Sequence, residues 1–297
     1  MKAWTIGELL KVSADYLKQK GIDSPRLSAE ILLAHQLHLT RVKLYLQYDQ
    51  PLSEQEVEGY RALIRRRLSR EPIQYITGTQ EFWSMEFIVN PSVLIPRPET
   101  EVLVEQAVSL LKENPDLGEE GVNLLDLATG CGALAVALAC EFVKALIYAT
   151  DLSEEALRVA RRNAERHGVK DRIDFRSGDL FAPFAGKGAR FHMILSNPPY
   201  IPSEAFETLS PEVREHEPRS ALDGREQGMT YITRILREAA GYLVPGGWIL
   251  MEMDPEQTLK AIRVIEETGQ FTEHRRIQDY THRYRMVMAR KIADAAC

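Results

Sequence analysis

Short apolar segments alternate with amphipathic helices from residue 123 to residue 291. The candidate strands read "NLLDLAT", "LIYATD", "IDFRSGD", "FHMILSN" and "GWILMEMD", and helical patterns such as residues 153–168 separate them. Strands joined through helices form mostly parallel sheets that are covered by helices on both faces. The alternation therefore predicts an α/β fold, which two further strands near residues 273–280 and 284–291 complete as a hairpin.

The first 70 or so residues have a different pattern, in which apolar residues recur at three and four positions. Ser24 before Pro25 is typical of an N-cap followed by a proline in the first helical turn. The stretch from Ser53 to Glu56 predicts a capping box that opens a helix through Arg70. We therefore expect a small helical domain over residues 1–72.

Residues 71–101, "EPIQYITGTQEFWSMEFIVNPSVLIPRPETE", contain short β-branched runs that are separated by Gly78 and Pro91. This pattern favours a β-hairpin. The expected domains are a helical domain at 1–72, a hairpin linker at 73–95 and an α/β domain at 96–297.

Charge and cysteine content narrow the class of protein. The formal net charge of −6 argues against a protein that mainly grips long stretches of nucleic acid. Three cysteines, Cys131, Cys140 and Cys297, lack CxxC spacing, which indicates free thiols and offers no metal site. No apolar run approaches the roughly 20 residues of a membrane span. We expect a cytoplasmic protein without a bound metal.

A glycine-containing turn follows the first strand of the α/β region. It comprises Thr129, Gly130, Cys131, Gly132 and Ala133. Glycines there allow the backbone to approach a ligand at the carboxyl end of a strand, where open α/β sheets bind their cofactors. A tight turn without a ligand is the alternative, because one short GxG motif is weak evidence.

Acidic residues end the next two strands. Asp151 follows Gly130 by about 20 residues, the spacing at which an acidic side chain meets a ribose diol in Rossmann-like folds. Asp179, at the end of the third strand, is expected near the adenine. Ala135 stands where a dinucleotide fingerprint has its third glycine, and alanine is tolerated there, so this position does not exclude NAD. The terminal strand pair and Asp126 resemble class I methyltransferases that use S-adenosylmethionine.

The fourth strand ends in Asn197, Pro198, Pro199 and Tyr200. An amide nitrogen is a poor nucleophile, and acceptors such as Asn197 Oδ1 and the Pro198 carbonyl can hold its two hydrogens and stabilise developing positive charge. The two prolines fix an extended turn, and Tyr200 can lie against a planar group. The alternative is a strand that ends at prolines, with Tyr200 in the core. The chemistry alone fits a nucleobase or a glutamine.

The whole chain resembles the protein-(glutamine-N5) methyltransferases of peptide chain release factors, the PrmC/HemK family. The resemblance rests on segments 71–101, 126–139, 149–168, 196–201 and 217–224 ("EPRSALDG"). It implies a class I S-adenosylmethionine-dependent methyltransferase, Rossmann-like, with a seven-stranded mostly parallel sheet, a small N-terminal helical domain and a β-hairpin linker.

The resemblance also implies a substrate, the glutamine of the Gly-Gly-Gln motif in release factors, with S-adenosylhomocysteine as product and no nucleic-acid or membrane partner. By position, Asn197 to Tyr200 bind the glutamine. The residues implied to contact the methyl donor are Thr129, Gly130, Cys131, Gly132, Ala133, Asp151, Asp179, Leu180 and Asn197. The competing interpretation is a nucleic-acid amino-methyltransferase that acts on adenine N6 or guanine N2.

Three segments stay open at this point. Residues 97–100 either close the linker onto the catalytic domain or contact the active site. The chain departs from the family pattern at 225–229, "REQGM", and at 279–284, which leaves the preferred release factor undetermined. The cluster of Arg65, Arg66, Arg67 and Arg70 is expected to be a solvated helix end; the alternative is a contact surface for an acidic partner.

Overall fold

The computed structural model describes residues 4–113 and 121–293. The chain divides into two compact units, one of Met1–Thr79 with Ser210–His216 and the other of Gln80–Leu209 with Glu217–Cys297. Of the predicted free thiols, Cys297 lies outside the described residues. The predicted boundaries at residues 72 and 95 stay a prediction.

Helices and strands occupy almost every position that the sequence patterns predict. The described helices are α1 (Ile6–Gln19), α2 (Pro25–Leu37), α3 (Arg41–Leu46), α4 (Glu54–Leu68), α5 (Ile73–Thr77), α6 (Glu101–Glu113), α7 (Ala133–Glu141), α8 (Glu154–Arg166), α9 (Pro211–His216), α10 (Thr230–Ala239) and α11 (Pro255–Thr268). The described strands are β1 (Thr79–Phe82), β2 (Met85–Ile88), β3 (Asn123–Leu127), β4 (Leu146–Asp151), β5 (Ile173–Ser177), β6 (Phe191–Ser196), β7 (Ile201–Pro202), β8 (Asp223–Arg225), β9 (Leu243–Glu252), β10 (Phe271–Gln278) and β11 (Tyr284–Lys291).

The first unit is helical, as the apolar spacing predicts. Ser53 and Glu56 form the predicted capping box of α4, which ends at Leu68 rather than Arg70. Ser24 is the N-cap of α2, but it has a left-handed backbone (φ 47°) and its side chain makes no capping hydrogen bond. Proline at the first helical position therefore does more than the serine side chain to start this helix.

The arginine cluster at the end of α4 is not uniformly solvated. Arg67 has a side chain only 6% exposed and pairs with Glu212 of α9 at 3.0 Å. Arg66 pairs with Glu71, and its hydrogen bond is the main cause that lowers the pKa of the Glu71 carboxyl. The expectation of a solvated helix end is therefore wrong for Arg67. It fails because α9 belongs to this unit, although about 140 residues separate the two in sequence.

The second unit is built on a seven-stranded sheet with the order β10-β11-β9-β6-β3-β4-β5. Within this sheet only β11 runs antiparallel to its neighbours, and the remaining pairs along the order are parallel. The order of the strands reverses at β3, because β4 and β5 follow on one side of it and β6 lies on the other. The carboxyl ends of β3 and β6 therefore meet at a switch point, where α/β folds bind ligands. The predicted α/β fold is confirmed. Among the described residues, no helix is long and apolar enough to span a bilayer.

The predicted hairpin is shorter than the sequence suggested. β1 and β2 pair across Trp83 and Ser84, both at positive φ as in a two-residue turn. Ile73–Thr77 is a helical turn that ends at Gly78 in a left-handed conformation, so strand structure begins only after that glycine. The apolar residues of this stretch are too few to distinguish a helical turn from a strand by periodicity.

Candidate active site

A cavity of about 630 Å³ opens where the carboxyl ends of β3, β4 and β6 meet. It brings together nine of the predicted site residues: Thr129, Gly130, Cys131, Ala133, Asp151, Asp179, Leu180, Asn197 and Pro199. Among the described residues, its walls do not include Gly132, Pro198 or Tyr200. Segments far apart in sequence therefore converge on one pocket, which also takes in Thr100.

The two glycines of the turn after β3 do different things. Gly130 has φ 57°, and a Cβ at this position would meet no protein atom within 4 Å, so open space faces the backbone there. At Gly132, which begins α7, a Cβ would lie 3.0 Å from the Cβ of Ala160. Gly130 thus leaves room for a ligand, whereas Gly132 lets α7 pack closely against α8.

Asp126, in β3, forms hydrogen bonds that hold the glycine-containing turn after that strand. Its Oδ2 accepts hydrogen bonds from Thr129 Oγ1 at 2.6 Å and from the Ala135 N–H at 3.1 Å. Burial raises the pKa of the Asp126 carboxyl to about 7, and burial likewise raises the pKa of the Cys131 thiol to about 12. Cys131 is therefore a neutral, unreactive thiol, because the thiolate is the nucleophilic form.

The Asp151 carboxylate faces the same turn from the end of β4. It accepts hydrogen bonds from the Gly130 N–H and the Ser153 N–H, each at 2.9 Å. Burial raises the pKa of Asp151, and these two donors oppose that shift by favouring the charged form. A carboxylate has about four acceptor sites, so Asp151 keeps lone pairs for the hydroxyls of a bound ligand.

Asp179 and Leu180 form the far wall of the cavity. Asp179 pairs with Arg234 of α10 at 2.8 Å, which keeps its carboxylate at the cavity edge. Leu180 has φ 49°, and its carbonyl accepts a hydrogen bond from Thr150 Oγ1 at 3.4 Å.

A hydrogen-bonded series fixes the side chain of Asn197. Its Nδ2 donates to Thr100 Oγ1 at 3.1 Å, and Thr100 Oγ1 donates to Glu252 Oε2 at 2.6 Å. The other carboxylate oxygen, Glu252 Oε1, accepts from the Tyr200 hydroxyl at 3.3 Å. One carboxylate at the end of β9 therefore reaches two residues of the Asn-Pro-Pro-Tyr turn.

Glu252 is only 1% exposed to solvent. Burial raises the pKa of its carboxyl to about 7, even though Thr100 and Tyr200 donate hydrogen bonds to it. The sequence analysis did not identify this residue. The one available signal is a glutamate inside the apolar segment "WILMEM", because charged residues are seldom buried unless they are paired.

Tyr200 packs against the hydrophobic core of the second unit. Burial, and next the nearby Glu252 carboxylate, raise the pKa of its phenol above the ordinary value, so the hydroxyl stays protonated and donates. This placement agrees with the alternative in which Tyr200 is a core residue. Contact between Tyr200 and a substrate stays a prediction.

The segment after residue 217 supports the same turn from its other side. A Cβ at Gly224 would lie 2.7 Å from the Pro199 carbonyl oxygen, and one at Gly228 would lie 2.0 Å from the Tyr200 carbonyl oxygen. Gln257 of α11 donates to that Tyr200 carbonyl at 2.7 Å. Residues 225–229 therefore pack against the Asn-Pro-Pro-Tyr turn.

Residues 97–100 combine the two roles that the sequence left open. Glu217 accepts hydrogen bonds from Arg97 at 2.5 Å and from the Ile95 N–H at 3.2 Å, which fastens this segment to the second unit. Thr100, three residues further on, lines the cavity and contacts Asn197. The described residues contain no cluster of His, Cys, Asp or Glu side chains that would hold a metal ion.

Comparison with known proteins gives consistent matches along the chain. Residues 8–78 match a family model described as the PrmC N-terminal domain, and residues 100–210 match the methyltransferase small domain. A release factor glutamine methyltransferase from Geobacter sulfurreducens is 44% identical over 90% of this chain and 90% of its own length. One from Chlorobaculum tepidum is 41% identical over 94% and 95% of the two chains.

Solved structures share the fold of this chain. The catalytic domain of human METTL16, in a complex with an RNA hairpin, superposes with a TM-score of 0.57 at 12% identity over 77% of this chain and 83% of its own. At this identity the likeness concerns the fold alone. It agrees with the sheet order in identifying a class I methyltransferase fold.

Proposed function

The chain belongs to the family of release factor glutamine methyltransferases, and from this premise we propose how its cavity carries out the reaction. The protein is an S-adenosylmethionine-dependent methyltransferase that acts on a glutamine of peptide chain release factors. We propose that this glutamine is that of the Gly-Gly-Gln motif and that its side-chain amide nitrogen receives the methyl group. We assign recognition of the release factor to the N-terminal helical domain.

The walls of the cavity fit S-adenosylmethionine. The open space before Gly130 and the spare lone pairs of Asp151 suit a ligand that carries a ribose diol beside a strand-to-helix turn. We assign the adenine to Asp179 and Leu180, which line the same cavity as Thr129, Gly130, Cys131 and Ala133. When bound, S-adenosylmethionine supplies a methyl group activated by a sulfonium centre.

Asn197 and Pro198 are assigned the glutamine amide. The amide nitrogen has two hydrogens, and the Asn197 Oδ1 and the Pro198 carbonyl oxygen are the two acceptors that would hold them. Acceptors in fixed positions stabilise the positive charge that develops as the nitrogen gains a methyl group. The observation that carries this assignment is the bond from Asn197 Nδ2 to Thr100, which leaves the amide oxygen for the substrate.

The reaction needs no general base at the nitrogen, because the methylated amide loses a proton readily once the positive charge has formed. Holding the two reacting atoms in line and close together supplies much of the rate. Asn197→Ala should therefore reduce turnover by about 100-fold or more, as the loss of one preorganised electrostatic contact with the transition state does elsewhere. The affinity for S-adenosylmethionine, measured by calorimetry, should change by a small factor in comparison.

Transfer of a labelled methyl group tests the function. The protein is incubated with labelled S-adenosylmethionine and a release factor, the factor with its Gly-Gly-Gln glutamine changed to alanine, total RNA, or DNA. Label on the unmodified factor alone supports the proposal. Label on the alanine variant refutes the assignment of the glutamine, and label on nucleic acid supports the amino-methyltransferase alternative, which the family membership does not favour.

A further inference from the structure

The orientation of the Asn197 amide depends on two residues that do not belong to the Asn-Pro-Pro-Tyr turn. Thr100 has one hydroxyl hydrogen, and an ionised Glu252 can only accept, so in that state the hydrogen lies in the 2.6 Å contact with Glu252 Oε2. Its oxygen can then only accept, so the Asn197 atom that faces it must be the nitrogen. Among the described residues, no group donates to Asn197 Oδ1.

We propose that Thr100 and Glu252 are positioning residues that hold Asn197 in the one amide orientation that presents an acceptor to the substrate. The alternative orientation would present the Asn197 NH2 group to the NH2 group of the glutamine, and two donors cannot bond. This inference rests on the proposed function, because it assumes that the substrate group is an amide nitrogen with its hydrogens.

The packing around Glu252 makes this orientation persistent. The carboxylate is 1% exposed, so water does not compete for Thr100, and its second oxygen is occupied by the Tyr200 hydroxyl. Arg285 provides a nearby positive charge and Glu99 a nearby negative one. A buried carboxylate without hydrogen bonds is costly, so ionised Glu252 holds its donors and Thr100 does not turn towards Asn197.

Thr100→Val tests the proposal because valine keeps the shape of threonine and lacks the hydroxyl. Both orientations of Asn197 then become accessible, and we expect kcat to fall about fivefold to tenfold. The KM for the release factor should rise less than kcat falls, because the acceptor matters most as charge develops. Thr100→Ser keeps the hydroxyl and should restore at least half of the wild-type kcat.

Two further variants separate positioning from general damage to the core. Thr258→Val removes an equally buried hydroxyl, one that bonds a carbonyl of its own helix, and should leave kcat within twofold of wild type. If Thr100→Val does not fold, the double variant Thr100→Val with Glu252→Gln removes the buried charge as well, and the same loss of kcat is expected. Equal losses in Thr100→Val, Thr100→Ser and Thr258→Val would overturn the proposal, as would wild-type turnover by Thr100→Val.

Hydrogen exchange of the Asn197 side-chain amide, followed by NMR, provides a readout that does not depend on activity. Exchange should be slow in the wild type and at least tenfold faster in Thr100→Val. Slow exchange in both proteins would overturn the proposed hydrogen bond even if release factors are methylated. Slow exchange in the wild type without methylation of any release factor would instead refute the proposed function and leave the fixed orientation of Asn197 supported.

Discussion

Gly228 is the position where a single methyl group should disturb the active site most. An alanine Cβ there would lie 2.0 Å from the Tyr200 carbonyl oxygen and 2.3 Å from Gln257 Nε2, whereas an ordinary contact is 3.4 Å or more. The turn that carries Asn197 must therefore move by roughly 1 Å, and displacements of this size cost about 100-fold in rate. We expect Gly228→Ala to lower kcat by about that factor.

The stability cost has two parts that a control variant can separate. Gly228 has φ +70°, where alanine costs about 1–2 kcal/mol relative to glycine. The clash adds about 1–3 kcal/mol for overpacking, and the weakened bond from Gln257 to Tyr200 adds about 1 kcal/mol. Gly168 has the same φ of +70° but open space where a Cβ would lie. Gly168→Ala therefore reports the backbone cost alone.

The two alanine variants are compared by urea unfolding and by methyl transfer to a release factor at saturating S-adenosylmethionine. Gly168→Ala should lose about 1–2 kcal/mol of unfolding free energy and keep a kcat close to that of the wild type. Gly228→Ala should lose more stability and most of its turnover. If Gly228→Ala turns over as fast as Gly168→Ala, residues 225–229 do not set the position of the Asn-Pro-Pro-Tyr turn.

Three other perturbations probe the supports of the site and of the helical unit. Asn163→Ala removes the hydrogen bonds through which Asn163 joins the β2 backbone to the Cys131 carbonyl. The affinity for S-adenosylmethionine, measured by calorimetry, should then fall about tenfold. An unchanged affinity would contradict a role of Asn163 in holding the turn. Glu212→Ala leaves the buried Arg67 without its carboxylate partner and should lower the unfolding free energy, measured in urea, by about 3 kcal/mol. Glu58→Ala breaks an exposed ion pair and should lower it by less than about 0.5 kcal/mol. Equal losses would contradict the claim that burial makes the Arg67–Glu212 pair the more important one. Burial raises the pKa of Asp126 from 3.8 to about 7, so the stability that this group contributes below pH 4 is lost as the pH rises through 7. Asp126→Asn should then show a smaller fall in Tm between pH 4 and pH 7, and an unchanged profile would contradict the assignment.

The sheet and its helices could be predicted because their signals are local. Segments such as "LIYATD" and residues 153–168 have the periods of a buried strand and a capped helix, and both form as expected, as β4 and α8. The order of the motifs then places the Gly130 turn, Asp151 and Asn197 at one edge, since the carboxyl ends of parallel strands meet there. These inferences need no knowledge of tertiary contacts.

The supports of the site could not be predicted because their partners are distant in sequence. Thr100 and Glu252 are separated by 152 residues, and nothing near either one indicates the other. The pairing of β7 with β8 depends on a register of two or three residues, which is too short for a periodic signal. Arg67 was expected to be solvated for the same reason, because its partner Glu212 lies 145 residues later.

The central claim is that the cavity transfers a methyl group to one amide nitrogen of one glutamine. Tandem mass spectrometry of a release factor, digested after incubation with the protein and S-adenosylmethionine, tests this claim most directly. The account predicts a single added methyl group on the side-chain amide of the glutamine in Gly-Gly-Gln, formed about 100-fold more slowly or slower still when Asn197→Ala replaces the wild type. A methyl group on any other residue, or full modification by the Asn197→Ala variant, would contradict it.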